Sequence, residues 1–128
     1  MKYLILSTGA IFGALSRYLL SGIIVKNVNS LFPYGTLIVN LLGALIFGLL
    51  FSLFENVIIS NNLKVFLFVG FLGSFTTFSS YIFEIFSLIK AGEYRDSILY
   101  FLYSNVISLV MFMIGYILIK YFLKFIRG

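Results

Sequence analysis

Arg17, Thr36, Asn40 and Glu84 stand inside long apolar runs, as do a hydroxyl-rich stretch ending at Tyr81 and the series Tyr100, Ser104 and Ser108. Polar groups are costly at membrane depth, and those retained there mark ion or substrate paths. The Asn40 amide carries two N–H donors that can face an anion without a full charge, or bond a neighbouring helix. Thr36 lies one turn earlier on the same helical face, so the pair favours a lined path. In the stretch Gly70-Phe71-Leu72-Gly73-Ser74-Phe75-Thr76-Thr77-Phe78-Ser79-Ser80-Tyr81, glycines and hydroxyl residues weaken helix continuity. Their side chains can also satisfy backbone groups freed by a break. A broken helix is expected here, and unwound carbonyls in such breaks can coordinate cations. A continuous helix with small residues for close packing is the other reading.

Tyr100, Ser104 and Ser108 follow one another at four-residue spacing. Successive members lie within about 40° and rise about 6 Å per step, forming a shallow hydroxyl track with Asn105 beside it. Hydroxyls can donate to a small anion without binding it too firmly to leave, which conduction requires. Small-residue packing explains Ser104 and Ser108 equally well, but not Tyr100. Arg17 is placed to concentrate anions at the mouth of a path, or to snorkel about 12 Å to the nearer interface. Glu84, one turn after Ser80, faces a wet vestibule, pairs with a basic group, or is neutral; the sequence does not choose. Gly9-x-x-x-Gly13 reads as a close-packing motif.

These residues sit on four apolar segments, about Tyr3 to Val25, Tyr34 to Phe54, Lys64 to Ile89 and Ser97 to Phe122. Of 128 residues, 62% are hydrophobic and 10% charged, far from the roughly 25% charged of soluble domains. Mean hydropathy is +1.13. A spanning helix needs roughly 20 apolar residues, so four spans account for nearly the whole chain as a single transmembrane domain, 1–128. The first run continues past signal-peptide length without a small-x-small cleavage site and is expected to be retained. Cysteine and histidine are absent, which removes thiolate nucleophiles, imidazole bases and the usual transition-metal ligands, and with them most enzyme readings. The net charge of +5 is spread over loops and ends as membrane-surface anchors, with no nucleic-acid patch. Lys2, Lys64, Lys120, Lys124 and Arg127 fall on one side and Lys26, Lys90 and Arg95 on the other, a weak orientation signal compatible with insertion both ways.

The chain resembles the Fluc/CrcB family of small bacterial fluoride channels over essentially its full length. The resemblance is carried by Gly13-Ala14-Leu15-Ser16-Arg17-Tyr18, by Pro33-Tyr34-Gly35-Thr36-Leu37-Ile38-Val39-Asn40-Leu41-Leu42-Gly43, and by Gly73-Ser74-Phe75-Thr76-Thr77-Phe78-Ser79. It implies an all-α membrane protein of four helices, the third broken, forming an antiparallel, dual-topology homodimer in the bacterial cytoplasmic membrane. It further implies two pores that pass fluoride passively out of the cytoplasm, and a structural Na+ on the dimer axis. By position that ion is held by backbone carbonyls of Gly73 and Thr76, while Asn40, Thr36, Phe78, Ser80, Tyr81, Tyr100, Ser104 and Ser108 line the pore and Arg17 its vestibule. The family has a second phenylalanine where this chain has Tyr81. A tyrosine ring keeps the electropositive edge of the aromatic quadrupole, although its hydroxyl changes reach and solvation.

Two other function classes fit a short four-span chain. A dual-topology exporter of the multidrug-resistance type needs a membrane-embedded acid, for which only Glu84 is available. A non-transporting assembly protein would rest on the glycine contacts alone.

Overall fold

The computed structural model describes all residues, 1–128, and contains helices and no strands. Four segments are long and apolar enough to cross a bilayer, Lys2–Asn27, Tyr34–Asn56, Asn61–Lys90 and Tyr94–Arg127. They make a multi-pass membrane protein. We label Lys2–Asn27 α1 and Tyr34–Asn56 α2; α3 is the contiguous run of Asn61–Lys64, Val65–Leu72 and Gly73–Phe75, and α4 is Phe78–Lys90. The last rod, α5, joins Tyr94–Leu102, Tyr103–Ile107 and Ser108–Arg127. Val65–Leu72 and Tyr103–Ile107 are wound as π-helical turns.

The connections follow from local chemistry. Pro33 precedes the first turn of α2, where its missing N–H costs nothing. Ser60 caps α3 by accepting from the Leu63 N–H at 3.3 Å. Beyond α4, Gly92 takes φ +80°. There the Glu93 N–H reaches the Leu88 carbonyl at 2.9 Å and the Gly92 N–H reaches Ile89 at 3.0 Å. That pair of bonds is a Schellman stop, and its left-handed residue suits glycine. The helices overrun the apolar segments read from the sequence because their polar ends keep helical backbone outside the hydrocarbon. The overrun is greatest in α5, whose 34 residues span about 51 Å against a slab of about 30 Å.

Both termini and the 57–60 loop lie at one end of the bundle, called here the terminal end; loops 28–33 and 91–93 form the loop end. Lipid tails are as apolar as leucine, so helix association depends on close packing and hydrogen bonds. Only 18 of 128 residues are buried, and several of those are glycines at helix crossings. A Cβ on Gly9 would stand 2.5 Å from the Phe66 carbonyl oxygen, and one on Gly13 would strike the Phe71 carbonyl. The Gly9-x-x-x-Gly13 motif is therefore a seat for α3 within the same chain. Gly48 and Gly115 do the same for α2 and α5, meeting the Phe112 and Leu45 carbonyls. Side-chain burial is concentrated instead toward the loop end, in Phe32, Leu37, Tyr81, Leu88 and Tyr100.

Candidate functional site

Between Phe75 and Phe78 the helical path is interrupted. Thr76 has ψ 154° and Thr77 has φ −145° and ψ 122°, both extended. Hydroxyls cap the two helix ends so formed: Thr76 Oγ1 donates to the Leu72 carbonyl at 2.9 Å, and Thr77 Oγ1 accepts from the Ser80 N–H at 3.4 Å. Asn40 holds the centre. Its Oδ1 accepts from the Thr77 N–H at 2.9 Å and its Nδ2 donates to the Thr77 carbonyl at 3.1 Å. Gly43, three residues on and on the same face of α2, admits the Thr76 methyl, which a Cβ there would strike.

This arrangement releases two carbonyls. In an unbroken helix the Thr77 N–H would bond the Gly73 carbonyl and the Ser80 N–H the Thr76 carbonyl; here they turn to Asn40 and to Thr77 Oγ1. Oxygen acceptors freed from helical bonding are the donor set a hard cation takes. Gly73 is exposed and Thr76 partly so. The residues present therefore fit a Na+ bound through main-chain oxygens.

An open groove of about 510 Å³ runs beside the interruption, between α2 and α5. Asn40, Thr76, Phe78, Tyr81, Ser104 and Ser108 border it, and none of its lining residues is charged. Phe78 is 74% exposed along it, whereas Tyr81 is 5% exposed. The two rings lie 5.7 Å apart, and Tyr81 packs edge-on against Tyr100 at 5.3 Å. The Tyr81 hydroxyl accepts from Asn105 Nδ2 at 2.8 Å. Ser104 Oγ is buried and has no hydrogen-bond partner.

The remaining sequence candidates stand elsewhere. Tyr100 is fully buried, so the expected hydroxyl track is divided: Ser104 and Ser108 face the groove, and the Tyr100 hydroxyl donates to Glu84 Oε2 at 2.7 Å. Thr36, also buried, donates from Oγ1 to Glu84 Oε1 at 2.6 Å. The Glu84 carboxyl group thus ties α2, α4 and α5 together at the loop end, the role that sequence reading left open. Phe32 lies edge-on to Tyr100 at 5.6 Å and closes this cluster from the 28–33 loop. Ser80 Oγ accepts from Thr77 Oγ1 at 3.1 Å and belongs to the helix cap, not the groove lining. Arg17 is half-buried on α1 and does not line the groove. Two residues emerge that the sequence hardly marked. Thr77 is one, with a hydroxyl three positions before Ser80 as its cap signal; Asn105 is the other, noted only as a neighbour of the track.

The chain is similar in sequence to known proteins. The family model described as "CrcB-like protein, Camphor Resistance (CrcB)" matches residues 4–116. The fluoride-specific ion channel FluC of Nitratidesulfovibrio vulgaris (strain DP4) is 38% identical over 115 residues, covering 89% of this chain and 93% of the relative. That of Azobacteroides pseudotrichonymphae genomovar. CFP2 is 38% identical over 122 residues, 94% and 98% of the two chains. The FluC channel of Dehalococcoides mccartyi (strain CBDB1) is 40% identical over 115 residues, covering 89% and 88%.

Proposed function

The chain belongs to the CrcB-like family, and on that premise we propose that it is a fluoride-selective channel passing fluoride passively out of the cytoplasm. The relatives named above are fluoride-specific ion channels, and the family is one of channels and not of enzymes. The observation that carries the reading is the uncharged groove with Phe78, Tyr81, Ser104 and Ser108 along it and Asn40 at its centre. Fluoride is small and strongly hydrated, so a selective path must replace water by donors at close quarters. Hydroxyl O–H groups, the amide of Asn40 and aromatic ring edges offer partial positive charge without a cation that would trap the ion. Ser104 and Ser108 bring hydroxyl groups to the groove wall. The N-terminus of α4 adds the positive end of a helix dipole beside the groove. Glu84 holds Thr36 and Tyr100 at the loop end, and Arg17 draws anions toward the vestibule.

The functional unit is an antiparallel homodimer of dual topology. A single chain leaves the groove open and Phe78 exposed, and a second copy, inverted, closes each groove into a pore. The same pairing brings two sets of Gly73 and Thr76 carbonyls together around one structural Na+. Support for that site is the release of both carbonyls by the Asn40 and Thr77 bonds. The negative, carbonyl-bearing end of α3 favours a cation there, while α4 offers its positive end to the anion.

The deciding experiment is ion efflux from liposomes holding the purified protein, fluoride against chloride. Fluoride efflux with chloride retained is expected; equal leakage of both, or of neither, overturns the reading. Replacing Na+ by a large organic cation is expected to lower dimer stability and conduction together. If both are unmoved, the Gly73 and Thr76 carbonyls hold no structural ion.

A further inference from the structure

The cationic end of α5 is more ordered than a scatter of surface anchors. Lys120, Lys124 and Arg127 follow at spacings of four and three, which places them on one helical face. With Asn56 and Tyr121 they border a pocket of about 500 Å³ between the ends of α2 and α5. Leu123 and the main chain of Gly128, with its α-carboxyl group, complete the lining, which includes no Asp or Glu side chain. Arg127 is fixed there, because its Nη2 donates to the Asn56 carbonyl at 2.8 Å and so satisfies one of the last carbonyls of α2. That bond uses one of five guanidinium donors. Lys120 borders the pocket, and its ammonium lies 5.9 Å from the Tyr116 ring centroid, one turn back along α5.

Depth in the membrane says what such a pocket meets. The overlong α5 must carry its charged last turns out of the hydrocarbon and into the headgroup layer. The cations at the opposite end of the bundle differ in setting: Arg95 stands beside Glu93 and Asp96, and none of Lys26, Lys90 and Arg95 borders this pocket.

We propose that the Asn56–Lys120–Lys124–Arg127 pocket binds a phosphate-ester anion, supplied by the headgroup of an anionic phospholipid, and so anchors the terminal ends of α2 and α5 to each other. The lysines supply charge, Arg127 a forked donor set suited to phosphate oxygens, and the Asn56 side chain and Tyr121 hydroxyl polar contacts at the rim.

The test uses the full chain, taken from membranes of phosphatidylglycerol and phosphatidylcholine through detergent into native mass spectrometry. The wild-type chain is expected to retain phosphatidylglycerol preferentially. Lys120→Gln and Lys124→Gln are each expected to lower that retention about fivefold, the factor for one cation near the membrane surface. Lys124→Arg is expected to keep it, and Lys26→Gln, at the opposite end, to leave it unchanged. Equal losses for Lys26→Gln and Lys124→Gln would reduce the effect to diffuse charge attraction and overturn the site. Displacement of the lipid by inorganic phosphate at matching concentration would assign the pocket to a free anion instead. Should Lys124→Gln not yield folded protein, Lys120→Gln, farther from the α2 cap, decides by the same readout.

Discussion

The two halves of the bundle are held by different chemistry. Toward the terminal end, Gly9, Gly13 and Gly70 let α1 and α3 touch backbone to backbone, and Gly48 and Gly115 do so for α2 and α5. Toward the loop end the same helices are joined by polar side chains: Asn40 to the main chain of Thr77, Glu84 to Thr36 and Tyr100, and Tyr81 to Asn105. In lipid, where burial against another helix gains little over burial against an acyl chain, both devices are needed to fix helices. They differ in what they leave behind. Glycine contact is tight and leaves no room for an ion, whereas polar contact keeps donors and acceptors at membrane depth. The half of the molecule that is braced by polar groups is the half that keeps hydrogen-bonding capacity at membrane depth.

The sharpest way to break the glycine half is Gly115→Leu. Its side chain would have to pass through the Leu45 carbonyl and the Leu49 amide, so relief requires α2 and α5 to separate. Overpacking of side chain against side chain costs about 1–3 kcal/mol, and backbone yields less readily. The expected outcome is loss of monodisperse protein on size-exclusion chromatography. A folded variant with wild-type melting would show that the α2–α5 contact is not rigid.

On the polar side the largest effect belongs to Asn40→Asp, which keeps shape and reverses one bond. The carboxylate can still accept from the Thr77 N–H, but its second oxygen then faces the Thr77 carbonyl that Nδ2 now serves. A lost interhelical bond plus two opposed acceptors is expected to cost about 2 kcal/mol, read as a lower melting temperature, with fluoride efflux largely lost. Retained efflux would mean that the extended geometry of Thr76 and Thr77 stands without its amide brace.

These two sites also show how far the sequence was readable. Four spans and their connections could be seen from hydropathy alone, because a 30 Å apolar slab imposes a length on each helix. Gly9-x-x-x-Gly13 was legible as close packing, yet its partner, the backbone of Phe66–Phe71, was not, since spacing along one helix says nothing about which neighbour it meets. The glycine and hydroxyl content of 70–81 singled out that stretch, and Thr76 and Thr77 are extended within it. What could not be read was the division of the Tyr100, Ser104 and Ser108 row. Helical phase placed all three together, but the long phenol of Tyr100 reaches a carboxylate on another helix while the short serines stay at the groove. The role of Glu84 was hidden for the same reason. Its partners are 48 and 16 residues away, and only the fold brings them within 2.6 and 2.7 Å.

Glu84 gives a graded test of the polar half. Glu84→Ala leaves the buried hydroxyls of Thr36 and Tyr100 unpaired together and is expected to cost about 2 kcal/mol. Glu84→Gln leaves an amide that both hydroxyls can rotate to meet, and is expected to cost about 1 kcal/mol or less. Thermal unfolding of the two variants checks the order. Equal destabilisation would mean that an amide cannot take over the two hydrogen bonds that Glu84 makes to Thr36 and Tyr100.

The smallest expected effect separates bracing from lining within a single residue. Tyr81 presents its ring to the groove and its hydroxyl to Asn105, so Tyr81→Phe removes the brace and keeps the aromatic edge. Asn105 retains its bond from Nδ2 to the Phe101 carbonyl at 2.7 Å, and the Tyr100 ring still packs at the same face. The loss is therefore one interhelical hydrogen bond, about 0.6 kcal/mol at the membrane average. Efflux is expected to change by less than about threefold, since that free energy corresponds to a factor of about three. A drop well beyond threefold with unchanged melting would place the hydroxyl itself among the groups that meet the ion. The Tyr81 hydroxyl would then act along the groove with those of Ser104 and Ser108, and Asn105 would be the residue that holds it there.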